Sequence, residues 1–350
     1  MDICAFFLES FGFLTNLAVT VLLFLLRAKK TEGLALLRVL SVSCLAFEII
    51  SFADDISTHS THTGNAFLDS LICVLWNTRF LFWYALAHVY HSFFFFACNR
   101  VLDLLQVRRY LIVTEKQRLT IFKILVFTCS FFSAAPQLLL AQPHAEDCAC
   151  ASPTGNFAIL TMIYAHAYLW IAVFGLIYPT VLVYICVVLV LRVRRPERGA
   201  VVDEIDHLHF PQPLPASSST TASAHPVASS AQSIPSSGER ADSVAAVTVP
   251  HVWSASFCIL PLTVVYIATI TFEATHQFLS VAGIFRYNLR SPAQRFSGIL
   301  VNLFAALVPM ILFFHIPVLR SLIFAAIECM QRRCRKIRFL ATGHLESQAE

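Results

Sequence analysis

Long apolar runs alternate with short polar breaks along this chain, and the runs have neither the period of a strand nor the length of an ordinary core helix. Seven stand out, over roughly 5–27, 34–53, 72–98, 119–141, 165–191, 252–272 and 297–316. Each approaches or exceeds the ~20 residues that an α-helix needs to cross ~30 Å of hydrocarbon. Helix is the predicted form, because every backbone polar group inside a bilayer must find its partner within the segment. The third run is the most interrupted, since it holds Arg79, His88 and His91, and residues 157–165 can extend the fifth.

Between the fifth and sixth runs the pattern disappears. Residues 194–250 include "PASSSTTASAHPVASSAQSIPSSGER", which offers too little apolar surface to repay ordering. This insert is predicted to be a disordered cytoplasmic loop. After the seventh run, residues 317–340 predict a short amphipathic helix, with Leu319, Leu322, Ile323 and Ala326 on one face and basic residues for anionic lipid on the other. A polar tail follows over 341–350. The expected fold class is an all-α membrane protein of seven transmembrane helices plus this C-terminal helix. Residues 1–193 hold spans one to five and 251–316 hold spans six and seven.

Composition strengthens the membrane reading. The chain is 57% hydrophobic and 13% charged, with a mean hydropathy of +0.69. Soluble domains carry about 25% charged residues. Charge also orients the chain. Most of the Lys and Arg fall in 27–38, 100–123, 192–240 and from 320 onward. The alternate loops carry Asp54, Asp55, Asp69, Glu146, Asp147 and Glu273. The positive-inside rule therefore places the N-terminus outside and the C-terminus inside a plasma membrane. Seven crossings require the same arrangement. The first run has no basic start and is followed by Arg27, Lys29 and Lys30, the order of a stop-transfer helix rather than a signal peptide.

Several positions carry candidate chemistry. Cys73 lies at the outer end of span three, and Cys148 and Cys150 lie in the loop after span four, all on the oxidising side. Cys329 and Cys334 sit beside the inner basic run, where acylation is expected. "FFFFACNRVLDLLQVRRY" ends span three with Asn99 and Arg100, then reaches Arg108, Arg109 and Tyr110. An arginine there either snorkels to the headgroups or serves a partner. Prolines fall at Pro136, Pro179, Pro261 and Pro309, and Asn16 lies in the middle of span one.

Taken together, these residues resemble the rhodopsin-like G-protein-coupled receptors over about residues 5–340, the insert excepted. Asn99-Arg100-Val101 stands where that family has an acid, an arginine and a tyrosine. "CILP" (Cys258 to Pro261) stands where it has Cys-Trp-x-Pro, and "VPMIL" (Val308 to Leu312) where it has Asn-Pro-x-x-Tyr. The departures mark a divergent member. Span two lacks the sodium-binding aspartate, with Cys44 and Glu48 nearest, and Ile259 replaces the tryptophan of span six. The resemblance implies a disulfide from Cys73 to Cys148 or Cys150, and conformational switching at Pro179, Ile259, Pro261 and Pro309. It implies coupling of a heterotrimeric G protein at Asn99, Arg100, Arg108 and Arg109. It also implies an outward-opening ligand site, for which helical spacing nominates Arg79, Phe82, Trp83, Tyr168, Tyr266, Gln294 and Asn302. Phe82 occupies the position of the amine receptors' aspartate, so a monoamine is not expected. The acidic outer loops favour a basic or amidated peptide. Asn99 is neutral, so a weakly restrained resting state with basal signalling is expected.

Two other classes are weighed against this one. A seven-helix transporter or channel needs polar residues converging at mid-membrane, for which Glu48 and His88 are the hints. A membrane enzyme would use His88 and His91 in "HVYH", a pair better read as interhelical hydrogen bonders. No phosphate loop, zinc spacing or nucleophile elbow occurs, so neither cofactor nor metal is expected, nor a nucleic-acid partner.

Overall fold

The computed structural model describes residues 3–26, 32–56, 64–104, 114–139, 141–143, 148–150, 157–193, 255–284 and 292–322, with 324, 325, 328 and 330–333 beyond them. Almost all of this is helix. Helix α1 spans Ile3–Leu25 and α2 spans Glu32–Ile56. A short α3, Ala66–Ile72, runs into a π turn over Cys73–Asn77 before α4, Phe80–Leu104. Helix α5 is Glu115–Ala134. Helix α6, Phe157–Trp170, passes through a second π turn, Ile171–Ile177, into α7, Tyr178–Val193. A 3₁₀ turn at Ala255–Cys258 opens α8, Ile259–Val281, and α9 is Pro292–His315. Strands β1, Ala141–Pro143, and β2, Cys148–Cys150, form a small antiparallel ribbon.

Seven helical spans are long and apolar enough to cross a membrane: Ala5–Leu25, Leu34–Ile56, Phe80–Leu102, Lys116–Leu139, Tyr164–Leu191, Ser256–Ser280 and Arg295–His315. The third differs most from its expected start at residue 72. The chain is still apolar there, but the helix breaks at Thr78 and Arg79. The Thr78 hydroxyl accepts the Phe80 N–H at 3.2 Å and starts α4 afresh. At its other end α4 runs on past Arg100 to Leu104. Helical residues continue beyond Ile316 over 317–322, with Leu319 fully buried. The insert at 194–250, the tail at 341–350 and much of 323–340 lie outside the described residues.

The helix ends carry local caps. Thr114 and Gln117 close a capping box at the start of α5. Arg38 of α2 donates to the Leu23 and Leu26 carbonyls at 2.9 and 2.8 Å, satisfying acceptors at the end of α1.

Helix α4 sits at the centre, against α2, α5 and α7, while α1 packs on α2 and α9, and α8 on α7 and α9. The core is aromatic. Tyr90 of α4 meets Phe174, Tyr266 and Phe304 at ring distances of 5.5, 5.1 and 5.8 Å. Phe94 stacks flat on Tyr178 at 3.8 Å. The outward faces are apolar as well, with Phe7, Leu14, Phe24, Phe127, Phe132, Leu176 and Val264 exposed. A bundle apolar inside and out suits hydrocarbon as its solvent.

Candidate functional site

The polar groups inside this bundle form three clusters. The first lies where α4 nears its C-terminus. Arg100 is only 3% exposed, so it does not snorkel. Its Nε and Nη2 donate to the Ser256 hydroxyl at 3.1 and 3.0 Å, tying α4 to the 3₁₀ turn that opens α8. Asn99 beside it is buried. Ile259 and Cys258 pack in the same core, as do Val308 and Leu312 of α9. Arg108 and Arg109, together with Cys329 and Cys334, lie outside the described residues.

The second cluster lies at the other end of α4. Arg79 has a φ of 58°, in the left-handed region that bulky residues rarely adopt. Its Nε and Nη2 donate to Asp54 Oδ2 of α2 at 2.9 and 2.8 Å. Its guanidinium lies 4.3 Å from the centre of the Phe82 ring. A shallow surface depression lies here between Ile50, Asp54, Leu75, Trp76, Arg79 and Phe82. Glu273 of α8 lies within electrostatic reach of Arg79 and accepts from Gln277 at 2.6 Å.

The third is a seam between α1, α2 and α9. Glu9 Oε1 accepts from the Ser51 hydroxyl at 3.0 Å and from Asn302 Nδ2 at 2.8 Å. Glu48 packs so closely on Gly12 that a Cβ there would lie 2.5 Å from Glu48 Oε1. Glu9 is 1% exposed and Glu48 fully buried, yet among the described residues Glu9 Oε2 and both Glu48 oxygens have no hydrogen-bond partner. Further along the same interface, Thr20 and Ser41 share a 2.7 Å hydrogen bond.

Two prolines explain two further ties. Pro309 has no N–H for the Ala305 carbonyl one turn back. Asn16 Nδ2 supplies the missing donor at 3.1 Å, linking α1 to α9. In the second π turn the Tyr178 N–H bonds to the Val173 carbonyl, so in that register the Phe174 carbonyl would await residue 179. That residue is proline, and the Tyr266 hydroxyl donates to Phe174 O at 2.8 Å instead, linking α8 to the π turn. His91 is likewise interhelical, with Nδ1 2.5 Å from the Tyr178 hydroxyl and Nε2 3.4 Å from Ser133 Oγ.

The nominated ligand set therefore divides. Arg79 and Phe82 meet at the depression. Trp83 packs edge-on against Trp170 at 5.3 Å. Tyr266 and Asn302 lie in the core and the seam, with Tyr266 fully buried. Tyr168 does not join them, being 54% exposed on the outer surface of the bundle. Regular helical spacing does not allow for the π turn at Ile171–Ile177, which rotates the register between Tyr168 and Pro179. Gln294 lies on α9, with its side chain outside what is described. Between α4, the second π turn, α8 and α9, the rings of Tyr90, Phe174, Tyr266 and Phe304 pack against one another.

Cys73 is buried in the first π turn and is not one of the free thiols, which among the described residues are Cys44, Cys98, Cys129, Cys186 and Cys258. Strand β1 lies against that turn, and β2 pairs with β1 so that Cys148 faces Pro143 and Cys150 faces Ala141. The side chains of Cys148 and Cys150 lie outside what is described.

Sequence reasoning missed Glu9 and Ser256. Glu9 is a lone acid in an apolar run, seven residues before Asn16 and so on the same helical face, which was signal enough. Ser256 offered none, since it borders a serine-rich insert. In comparisons with known proteins, no family model matches the chain and no curated sequence matches it.

Proposed function

We propose that this chain is a cell-surface receptor that couples to a heterotrimeric G protein, with its N-terminus outside, its C-terminus inside and a peptide as its ligand. The observation that carries the reading is the Arg100–Ser256 tie. It joins the end of the central helix to the start of α8, at the face that charge asymmetry assigns to the cytoplasm. Of the contacts Arg100 makes, this one has a neutral acceptor, which binds a guanidinium less firmly than a carboxylate does. Outward movement of α8 would part the two groups and present Arg100 to the partner. Pro179, Pro261 and Pro309 lie on the three helices expected to flex, and Ile259 packs at the pivot. Since ligand and G protein act on one two-state equilibrium, each must raise the affinity of the other.

The outer face is assigned a disulfide from Cys73 to Cys148 or Cys150, fastening the ribbon to the first π turn. The residues after Ile316 are assigned to an amphipathic helix on the inner leaflet, anchored through Cys329 and Cys334. The full chain in lipid nanodiscs, mixed with G protein, should catalyse nucleotide exchange, and Arg100→Ala should abolish it. Exchange that persists in Arg100→Ala removes the basis of the reading.

One observation favours a second reading, a transporter or channel. Glu9 and Glu48 are buried carboxyls with unpartnered oxygens in the seam between α1, α2 and α9, and intramembrane acids of this kind mark ion pathways. Proton or cation flux in proteoliposomes, lost in Glu48→Gln, would establish it.

A further inference from the structure

We propose that the depression at the Arg79 end of α4 is a cation seat, which Arg79 occupies until a ligand's guanidinium or primary ammonium displaces it. The ligand's role rests on the receptor reading; the seat itself rests on the geometry of the depression.

The seat has the parts that cation recognition needs. Asp54 offers one carboxylate oxygen to two N–H groups of a single guanidinium, at 2.9 and 2.8 Å. Phe82 places its ring face 4.3 Å from the same cation. Trp76 adds an indole to the wall and Ile50 and Leu75 an apolar lining. Carboxylate and aromatic face together hold guanidinium and ammonium groups by charge-assisted hydrogen bonding and by cation–π attraction. Nothing in this chemistry requires the cation to belong to the chain.

The backbone is bent to deliver Arg79 there. A φ of 58° is unfavourable for a side chain of this size, and it follows directly on the π turn at Cys73–Asn77. Left-handed non-glycine residues and π turns both concentrate at sites where function opposes the regular backbone. The contact is also the kind that exchanges, because the Arg79 side chain is 30% exposed and that of Asp54 only 13%. Charge selects the sign of the ligand. Glu273 lies within electrostatic reach of Arg79 and is 7% exposed, so the guanidinium has a second acidic side chain near it besides Asp54. A second cation is attracted to such a mouth and an anion is repelled. Release of Arg79 would relax the backbone at the start of α4, whose far end carries Arg100. That supplies a route from the ligand to the inner face.

The test uses the full chain in nanodiscs with Arg79→Gly, since glycine accepts the left-handed backbone and removes the resident guanidinium. Methylguanidinium is the probe, with equal sodium chloride as the control for ionic strength. The melting temperature should rise saturably, by about 2–4 °C at ten times the probe's Kd. Asp54→Asn added to Arg79→Gly should remove the rise. If Arg79→Gly does not reach the membrane, Arg79→Gln carries the same test. No saturable rise, or an equal rise without Asp54, overturns the seat. G-protein exchange and its loss in Arg100→Ala are read separately, so failure of the seat is distinguishable from failure of the receptor reading.

Discussion

The two ends of α4 each hold an arginine, and they hold it in opposite ways. Arg100 lies inside the helix, 3% exposed, and donates to the Ser256 hydroxyl. Arg79 lies just before the helix in a left-handed conformation, part exposed, against the Asp54 carboxylate and the Phe82 ring. The buried arginine has a neutral hydroxyl among its acceptors and the exposed one a carboxylate. Both bonds have a charged donor; the one to Asp54 has a charged acceptor as well, which strengthens it while exposure screens it. Each contact therefore sits in an intermediate range, firm enough to define a resting state and weak enough to exchange. In the proposed account the Arg79 end is plugged until a cation arrives, and the Arg100 end is latched until α8 moves.

The comparison breaks first at Asp54. Asp54→Asn removes the carboxylate from a partly exposed guanidinium and should cost about 2 kcal/mol, read as a lower melting temperature. On the proposed account nucleotide exchange should rise in Asp54→Asn, because release of Arg79 is the step assigned to the ligand. Equal stability in Asp54→Asn would mean that the pair is ornamental and the two ends do not differ as described.

Much of this was legible before the fold was known. Seven spans follow from run length alone, because a bilayer demands ~20 apolar residues whatever their order. Arg100 stood out as a cation on an apolar helix, and His88 and His91 as interhelical bonders, which His91 is. What stayed hidden depends on backbone register. Hydropathy does not see a π turn, since Cys73, Val74, Leu75 and Trp76 remain apolar through it. The break before Phe80 therefore went unseen, and the polar pair Asn77-Thr78 was its only trace. The second π turn likewise shifts the facing of Tyr168 from what regular helical spacing gives. Partners such as Ser256 are invisible because a hydroxyl becomes significant only when the fold brings a guanidinium to it.

A smaller effect sharpens the comparison from the middle of the bundle. Tyr266→Phe removes one interhelical hydrogen bond to the Phe174 carbonyl, which Pro179 leaves without a backbone donor. Single bonds of this kind in membrane bundles are worth about 0.6 kcal/mol. A thermal melt should show a shift of that order, below the shift for Asp54→Asn. A loss exceeding that of Asp54→Asn would place the controlling contact in the aromatic core rather than at the ends of α4.

The most direct test of the latch compares basal nucleotide exchange by the G protein in four proteins at matched levels: wild type, Ser256→Ala, Arg100→Ala and the double variant. Ser256→Ala removes this acceptor from Arg100 and should raise exchange several-fold, as loss of about 1 kcal/mol of restraint implies. Arg100→Ala and the double variant should both sit at the background of empty nanodiscs. A Ser256→Ala protein no more active than wild type, or a double variant that keeps the gain, would contradict the claim that this bond restrains the partner-binding arginine.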